Sequence, residues 1–203
     1  AAPSFTCNFL HTNQSDMPDV ESTQFGIFLD DEIALGDSGF SLTPGLRYDW
    51  YDHSPKDTPA YQVNPNYGGL PAGQSEGQLS PKLLGKYKIN PEFDIFAQWA
   101  MAFRAPTPSE LYLDYGAPGT YLRIGNANMK PETSNGFEIG ANYDNGSLRG
   151  RVTGFYNRYK NFIDTRGLSA TEQAGLGITP GTYPFGVTQS INRANVEIYG
   201  AEL

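Results

Sequence analysis

Seven stretches of the sequence alternate apolar and polar residues, and this period of two constrains the fold more than any other feature. In residues 93–105 one face carries Phe93, Ile95, Ala97, Trp99, Met101 and Phe103. The opposite face carries Asp94, Gln98 and Arg104. Because successive side chains of a strand point to opposite sides, one face suits lipid and the other suits water. A soluble antiparallel sandwich produces the same alternation, so the period alone leaves both folds open.

The connections between the alternating stretches separate the two folds. We predict strands at about 22–34, 40–53, 79–89, 93–105, 134–144, 147–163 and 191–203. Three connections are tight turns, and three are long loops at about 54–78, 106–133 and 164–190, with residues 1–20 at the same end. Short turns at one end and long external loops at the other are typical of outer-membrane barrels. The pattern favours an all-β fold, an antiparallel transmembrane β-barrel with residues 1–203 as part of its wall.

Composition limits the functions that the chain can have. The net charge of −8, without any Lys/Arg cluster, argues against a nucleic-acid partner. No catalytic or phosphate-binding motif is present, so we do not expect an enzyme. Two histidines and the single Cys7 give no metal-ligand spacing, so no metal site is expected. The sequence lacks an initiator Met and stops within an alternating run, so we expect it to be a piece of a longer chain.

Several blocks, in order along the chain, resemble the TonB-dependent outer-membrane receptors. They are Phe25–Ile33, Leu42–Asp49, Leu79–Leu83, Phe103–Pro106 with Ser109–Tyr112, Met129–Ser134 and Asn195–Leu203. The resemblance implies a barrel of about 22 strands closed by an N-terminal plug, of which this chain supplies a seven-strand arc. It also implies the outer membrane of a Gram-negative bacterium, contact with its lipid, and partnership with the TonB energy-transducing complex through the plug region.

A second resemblance concerns the cargo. Met17-Pro18-Asp19, leading into 23–32, is similar to the haem, haemoglobin, transferrin and lactoferrin receptor branch. This implies import of haem, or of iron from a host haem protein, with haem as the transported ligand and no intrinsic cofactor. One alternative is a receptor for a siderophore or other ferric chelate. An alternative from another class is a soluble β-sandwich binding module.

The resemblance also indicates candidate site residues. The family motifs fall on Phe103, Arg104, Ala105, Pro106, Asn126, Asn128, Pro131 and Glu132. In haem receptors of the branch, the loop between these motifs carries a histidine that binds haem iron, but residues 107–125 contain no histidine. The remaining candidate ligands are Tyr112, Tyr115, Tyr121, His11 and His53, since tyrosinate and imidazole both serve as axial haem ligands. The competing interpretation makes the tyrosines packing residues and the histidines solvated surface residues.

Five basic residues fall on the polar faces of the predicted strands. They are Arg47, Lys82, Lys86, Arg149 and Arg151. They either line the lumen and attract anionic groups of the cargo, or pair with neighbouring carboxylates.

Overall fold

Seven long strands and three short ones form a single curled sheet in the computed structural model, which describes residues 14–203; Cys7 and His11 lie outside the described residues. In chain order the elements are β1 (Asp19–Asp30), β2 (Ile33–Ala34), β3 (Phe40–Lys56), α1 (Pro59–Gln62), β4 (Gln74–Asn90), β5 (Phe93–Arg104), α2 (Pro108–Tyr112), β6 (Asp114–Gly116), β7 (Leu122–Ile124), β8 (Glu132–Asp144), β9 (Arg149–Gly167), α3 (Ala170–Gly175) and β10 (Val187–Glu202). No helix in this part of the chain is long and apolar enough to cross a membrane.

Each long strand pairs antiparallel with the next long strand along the chain. The order is β1-β3-β4-β5-β8-β9-β10, which is the predicted up-and-down arc. Since all the long strands belong to one sheet, the alternative of two packed sheets is wrong. The predicted all-β barrel arc is confirmed.

Short and long connections lie at opposite ends of the sheet. At the turn end, residues 91–92 and 145–148 join strands tightly, and β2 pairs with β3 within the connection 31–39. At the loop end, the connections 57–73, 105–131 and 168–186 form what we call the loop layer. The strands reach further into this layer than predicted. The loops also hold short elements of their own, which the period-two pattern does not reveal.

One face of the sheet is apolar and exposed. A row of large side chains in register crosses five strands: Leu83, Trp99, Phe137, Tyr156 and Tyr199. Phe137 is 53% exposed and Tyr199 is 76% exposed. Soluble proteins rarely expose a continuous apolar surface of this kind, whereas it fits the hydrocarbon of a bilayer.

On the opposite, polar face, Phe96 breaks the alternation and is only 7% exposed. Gly140 lies opposite Phe96 in register, and a Cβ on Gly140 would come within 2.6 Å of the Phe96 ring. The guanidinium of Arg151 covers the ring at 4.6 Å from its centroid. A glycine and a cation–π contact thus accommodate an aromatic side chain on a water-facing surface.

At the loop end, β5 separates from β4. The β4–β5 pairing stops at Lys82–Ala100, although β5 stays paired with β8 up to Arg104. Beyond that point the Phe103 ring lies 6.0 Å from the ring of Tyr51 on β3. Phe103 is predicted on the lipid side. Instead the two rings pack together, and Tyr51 is 1% exposed, because the end of β5 leans across onto β3.

Two small apolar clusters hold the loop layer against the sheet. The first consists of Leu111, Tyr112, Met129 and Ile163, with Val20 packed against it. The second consists of Leu122, Leu168 and Val187, with Ile124, Ile178 and Tyr183 packed against it. Each cluster combines loop residues with strand residues, so the loops are anchored by burial of apolar area as well as by hydrogen bonds.

Candidate functional site

The family motif residues meet at the loop end around the guanidinium of Arg104. Its Nη1 lies 3.1 Å from Oε2 of Glu110, and its Nη2 lies 3.6 Å from Oε2 of Glu132. Glu110 also completes a capping box with Thr107 at the start of α2. Glu132 accepts a hydrogen bond from the backbone N–H of Ile163, at 2.9 Å. Arg104 therefore ties the start of the loop 105–131 to its end and, through Glu132, to β9.

The predicted ligand His53 is buried and bonds to the backbone of Pro106. Nε2 of His53 lies 3.0 Å from the carbonyl oxygen of Pro106, and Nδ1 lies 2.8 Å from the hydroxyl of Ser22. Because a carbonyl only accepts, Nε2 carries a proton and Nδ1 is left to bond with the hydroxyl. His53 is 1% exposed. In this arrangement both ring nitrogens are engaged, and the ring joins β1, β3 and the loop.

The second motif forms a turn that buries Met129. The backbone N–H of Asn126 donates to the carbonyl of Glu110 at 2.9 Å, and Oδ1 of Asn126 accepts from the N–H of Asn128 at 3.0 Å. Met129 follows and is 1% exposed, and its carbonyl accepts from Gln74. The Asx-type turn sets the direction in which the chain re-enters the sheet.

A residue without any sequence signal completes this anchor. The side chain of Asn192 on β10 accepts from the N–H of Lys130 at 2.7 Å and donates to its carbonyl at 2.9 Å. It also donates to the carbonyl of Asn161, which has a left-handed φ of 53°. Pro131 is buried, and its carbonyl accepts from Asn161 at 3.4 Å. The motif is thereby held on β9 and β10 together.

The three candidate tyrosines lie in two different environments. Tyr112 is 3% exposed inside the first apolar cluster. Burial is the main cause that raises the pKa of its phenol, and the hydroxyl is without a hydrogen-bond partner among residues 14–203. Tyr115 and Tyr121 are 38% and 42% exposed. The structure therefore separates a packing tyrosine from two tyrosines that a ligand can reach.

Tyr115 and Tyr121 form a pair on the hairpin of β6 and β7. Their ring centroids are 5.7 Å apart at an angle of 60°. The hydrogen bond between the two phenols is the main cause that raises the pKa of Tyr121. Arg123 lies directly opposite Tyr115 in the hairpin register and is also exposed. We call Tyr115, Tyr121 and Arg123 the hairpin triad. Sequence reasoning missed Arg123, since only the register places it beside the tyrosines.

Asp114, which neighbours the triad along the chain, lines a cleft of about 460 Å³ between the three loops. Burial raises the pKa of the Asp114 carboxyl to about 6, against a hydrogen bond from Tyr61 at 3.3 Å. The other polar lining includes Asn66, whose Oδ1 accepts from the hydroxyl of Tyr183 at 2.7 Å. We call this the three-loop cleft.

Most of the basic residues predicted on the polar faces have carboxylate partners. Arg47 binds Asp49 through two hydrogen bonds of 2.6 and 2.7 Å. The other ion pairs are Lys82–Asp30, Lys86–Asp94 at 3.5 Å and Arg149–Asp144 at 2.8 Å. Arg151 instead covers Phe96 and donates to Thr153 at 3.1 Å. For four of the five, the structure bears out pairing with neighbouring carboxylates.

A family model and two curated proteins are similar in sequence to this chain. The family model described as TonB dependent receptor-like, beta-barrel, matches residues 3–203. Heme/hemopexin utilization protein C of Haemophilus influenzae is 30% identical over 198 residues, covering 90% of this chain and 25% of that protein. The ferric enterobactin receptor of Pseudomonas aeruginosa is 32% identical over 158 residues, covering 75% of this chain and 19% of the receptor.

Among solved structures, the hemophore receptor HasR of Serratia marcescens, in complex with its hemophore HasA and heme, superimposes with a TM-score of 0.67. The identity is 17%, and the match covers 92% of this chain and 32% of HasR. This likeness shows the fold. The chain spans about a quarter or less of the length of the two curated relatives.

Proposed function

The chain belongs to the TonB-dependent receptor β-barrel family, and from that premise we propose that the whole protein imports haem, or iron from a host haem protein, across the outer membrane of a Gram-negative bacterium. The family consists of receptors and transporters rather than enzymes. The protein named for heme and hemopexin utilization, 30% identical to this chain, supports haem as the cargo. The exposed apolar face supports a place in the outer membrane.

The hairpin triad is the observation that carries the proposal. A phenol oxygen is an axial ligand for haem iron, and a guanidinium binds a propionate carboxylate through paired hydrogen bonds. Tyr115, Tyr121 and Arg123 present these groups together on one exposed face of a hairpin. Arg104, His53 and Asn192 fix the loop that carries the hairpin, so the groups are held in place before the ligand arrives.

The transport step itself involves binding and gating, without bond chemistry. Haem bound at the loop layer would pass into the lumen when the plug rearranges, driven through the TonB complex by the inner-membrane proton gradient. Because most of the predicted basic residues of the strands are already paired with carboxylates, the wall described here offers little attraction to propionates. Capture of an anionic cargo would therefore depend on the loop layer.

Binding of hemin to the full-length receptor in detergent tests the proposal. We expect a shift of the Soret band on titration, and affinity about tenfold weaker in the Tyr115→Phe/Tyr121→Phe double variant, which lacks both phenol oxygens. Tyr67→Phe removes one loop phenol outside the triad and should leave the titration unchanged. An unaltered Soret band at micromolar hemin with the unmodified receptor would contradict haem as cargo.

A ferric chelate is the second candidate cargo. The absence of histidine from residues 107–125 favours it, as does the 32% identity to the ferric enterobactin receptor. Uptake of a ferric catecholate by cells that express the receptor, without any hemin binding, would establish this alternative. In both cases fractionation should place the full-length protein in the outer membrane, from which only detergent extracts it.

A further inference from the structure

The three-loop cleft differs in chemistry from the hairpin triad on the same loop layer. Its polar and apolar lining includes Asn66, Tyr67, Asp114, Leu176, Ile178 and Tyr183. One carboxyl group lines the cleft, and no Lys or Arg does among the described residues. A haem propionate or an anionic chelate would therefore meet no positive charge here.

We infer that the three-loop cleft receives a basic side chain from a protein ligand, with the Asp114 carboxylate pairing with its cation and the Asn66 amide donating to a nearby backbone carbonyl. This inference rests on the proposed function, since it assumes a receptor that meets proteins at its loop layer. It specifies what kind of protein surface the receptor recognises.

Asp114 is the first group that would bind a basic side chain of the partner. Its Oδ2 accepts from Tyr61, and no basic side chain within residues 14–203 lies within ion-pair distance of it. Burial of this carboxyl raises its pKa to about 6, because the charged form is poorly solvated. A cation entering the cleft would compensate for the lost solvation and stabilise the carboxylate.

Asn66 is the second group. Its Oδ1 is occupied by the hydroxyl of Tyr183, while its Nδ2 is buried without an acceptor in the described part of the chain. A buried donor without a partner costs free energy that an incoming acceptor recovers. A peptide supplies such an acceptor, its backbone carbonyl, next to the side chain that reaches Asp114.

The apolar lining suits the stem of a long basic side chain. Leu176 is 50% exposed, and Ile178 is partly buried at the same cleft. The methylene groups of Lys and Arg pack on apolar surface while the charged end reaches a polar partner. The charge of −8 on this part of the receptor agrees with a basic partner surface, because opposite charges attract each other as the two proteins approach.

The experiment compares two short peptides on the full-length receptor in detergent by saturation-transfer NMR. The probe is acetyl-Gly-Lys-Gly-amide, and its control carries norleucine, which lacks the charge, in place of lysine. We expect the lysine peptide to bind about tenfold more tightly than the control and to lose that advantage in Asp114→Asn. Asp57→Asn removes a loop carboxylate outside the cleft lining and should keep the advantage.

Three outcomes would overturn the inference: equal binding of the two peptides, an unchanged lysine preference in correctly assembled Asp114→Asn, or equally good binding of free putrescine, which would indicate an amine site rather than a protein site. Heat-modifiable migration in electrophoresis verifies assembly of each variant. Hemin titration of the same samples separates the two proposals. If the receptor binds hemin but not the lysine peptide, only the inference is refuted. If it binds the lysine peptide but not hemin, only haem as cargo is refuted.

Discussion

The Nε2 proton of His53 on β3 is donated to the carbonyl of Pro106, 3.0 Å away across the polar face. One imidazole thereby connects the barrel wall to the first residues of the loop that carries the hairpin triad. Its other nitrogen bonds with Ser22 on the neighbouring strand. The residue predicted from sequence as a possible iron ligand is, in this structure, a buried connector.

Replacement of His53 tests this role. We expect His53→Ala to lower the free energy of unfolding by about 1–3 kcal/mol, because the Pro106 carbonyl and the Ser22 hydroxyl lose a buried partner. Hemin affinity should fall only modestly, because His53 helps to fix the loop that carries the hairpin triad but does not bind the ligand itself. Urea-induced unfolding and a Soret titration measure the two quantities. Ser22→Ala, which removes only the bond to Nδ1, should cost less. A large loss of hemin binding with normal stability would instead support ligation by His53.

Glu132 offers a matched pair of substitutions. Glu132→Ala leaves the Ile163 N–H without its acceptor and Arg104 with only Glu110, so we expect a loss of about 1–3 kcal/mol in unfolding free energy. Glu132→Gln keeps an acceptor for the N–H and should lose less. Hydrogen exchange of the Ile163 amide reports the difference directly. Equal protection in both variants would contradict the assignment of Glu132 as the acceptor.

Gly125 lies where the loop passes closest to α2. A Cβ there would lie 2.5 Å from the carbonyl carbon of Leu111 and 2.6 Å from the amide nitrogen of Tyr112. These are backbone atoms, so Gly125→Ala must displace α2, at a cost of about 1–3 kcal/mol. At Gly68 an added Cβ meets nothing within 4 Å, so Gly68→Ala should be close to neutral. Limited proteolysis of the loop layer should distinguish the two variants.

Asp114 makes stability depend on pH in a defined window. Its folded-state pKa of about 6 exceeds its ordinary value of 3.8, so the folded protein holds this proton to a higher pH than the unfolded chain. Raising the pH from about 4 to 6 therefore lowers stability through this group, by about 2 kcal/mol after allowance for partial exposure. Asp114→Asn should abolish this contribution. Unfolding midpoints of both proteins at pH 4 and pH 7.5 test it, and identical pH dependence would contradict it.

The protonated phenol of Tyr121 leads us to expect that hemin binding strengthens as the pH rises, whereas the contribution of Asp114 to stability weakens. Its pKa is raised, mainly by the hydrogen bond with Tyr115, so at neutral pH the phenol is protonated. Ligation to iron must release that proton, so hemin affinity should increase as the pH rises from 7 to 9. Tyr121→Phe should bind more weakly and lose this increase. A pH series of Soret titrations on both proteins provides the measurement.

The sequence predicts the wall of the barrel well because strand alternation is a local property. All seven long strands appear where the period of two places them, and Phe96, which breaks the alternation, is accommodated by its cross-strand neighbour Gly140. Alternation places Phe103 on the lipid side, which is wrong. Its ring packs on Tyr51 instead, and that contact depends on where β5 separates from β4. Arg123 and Asn192 carried no signal, because their roles follow from register and from contacts between distant strands.

One pairing affects the order in which the molecule is built. β7, from the loop that follows β5, joins β10 in parallel at Val187–Gln189, although β8 and β9 lie between the two strands along the chain. Contacts between segments so distant in sequence form late, after the intervening chain is ordered. The hairpin triad therefore reaches its final position only once β10 is in the wall. An arrested or misassembled barrel would display its loops without the hairpin fixed in place, so under the proposed function cargo would bind only to molecules whose assembly has progressed at least that far.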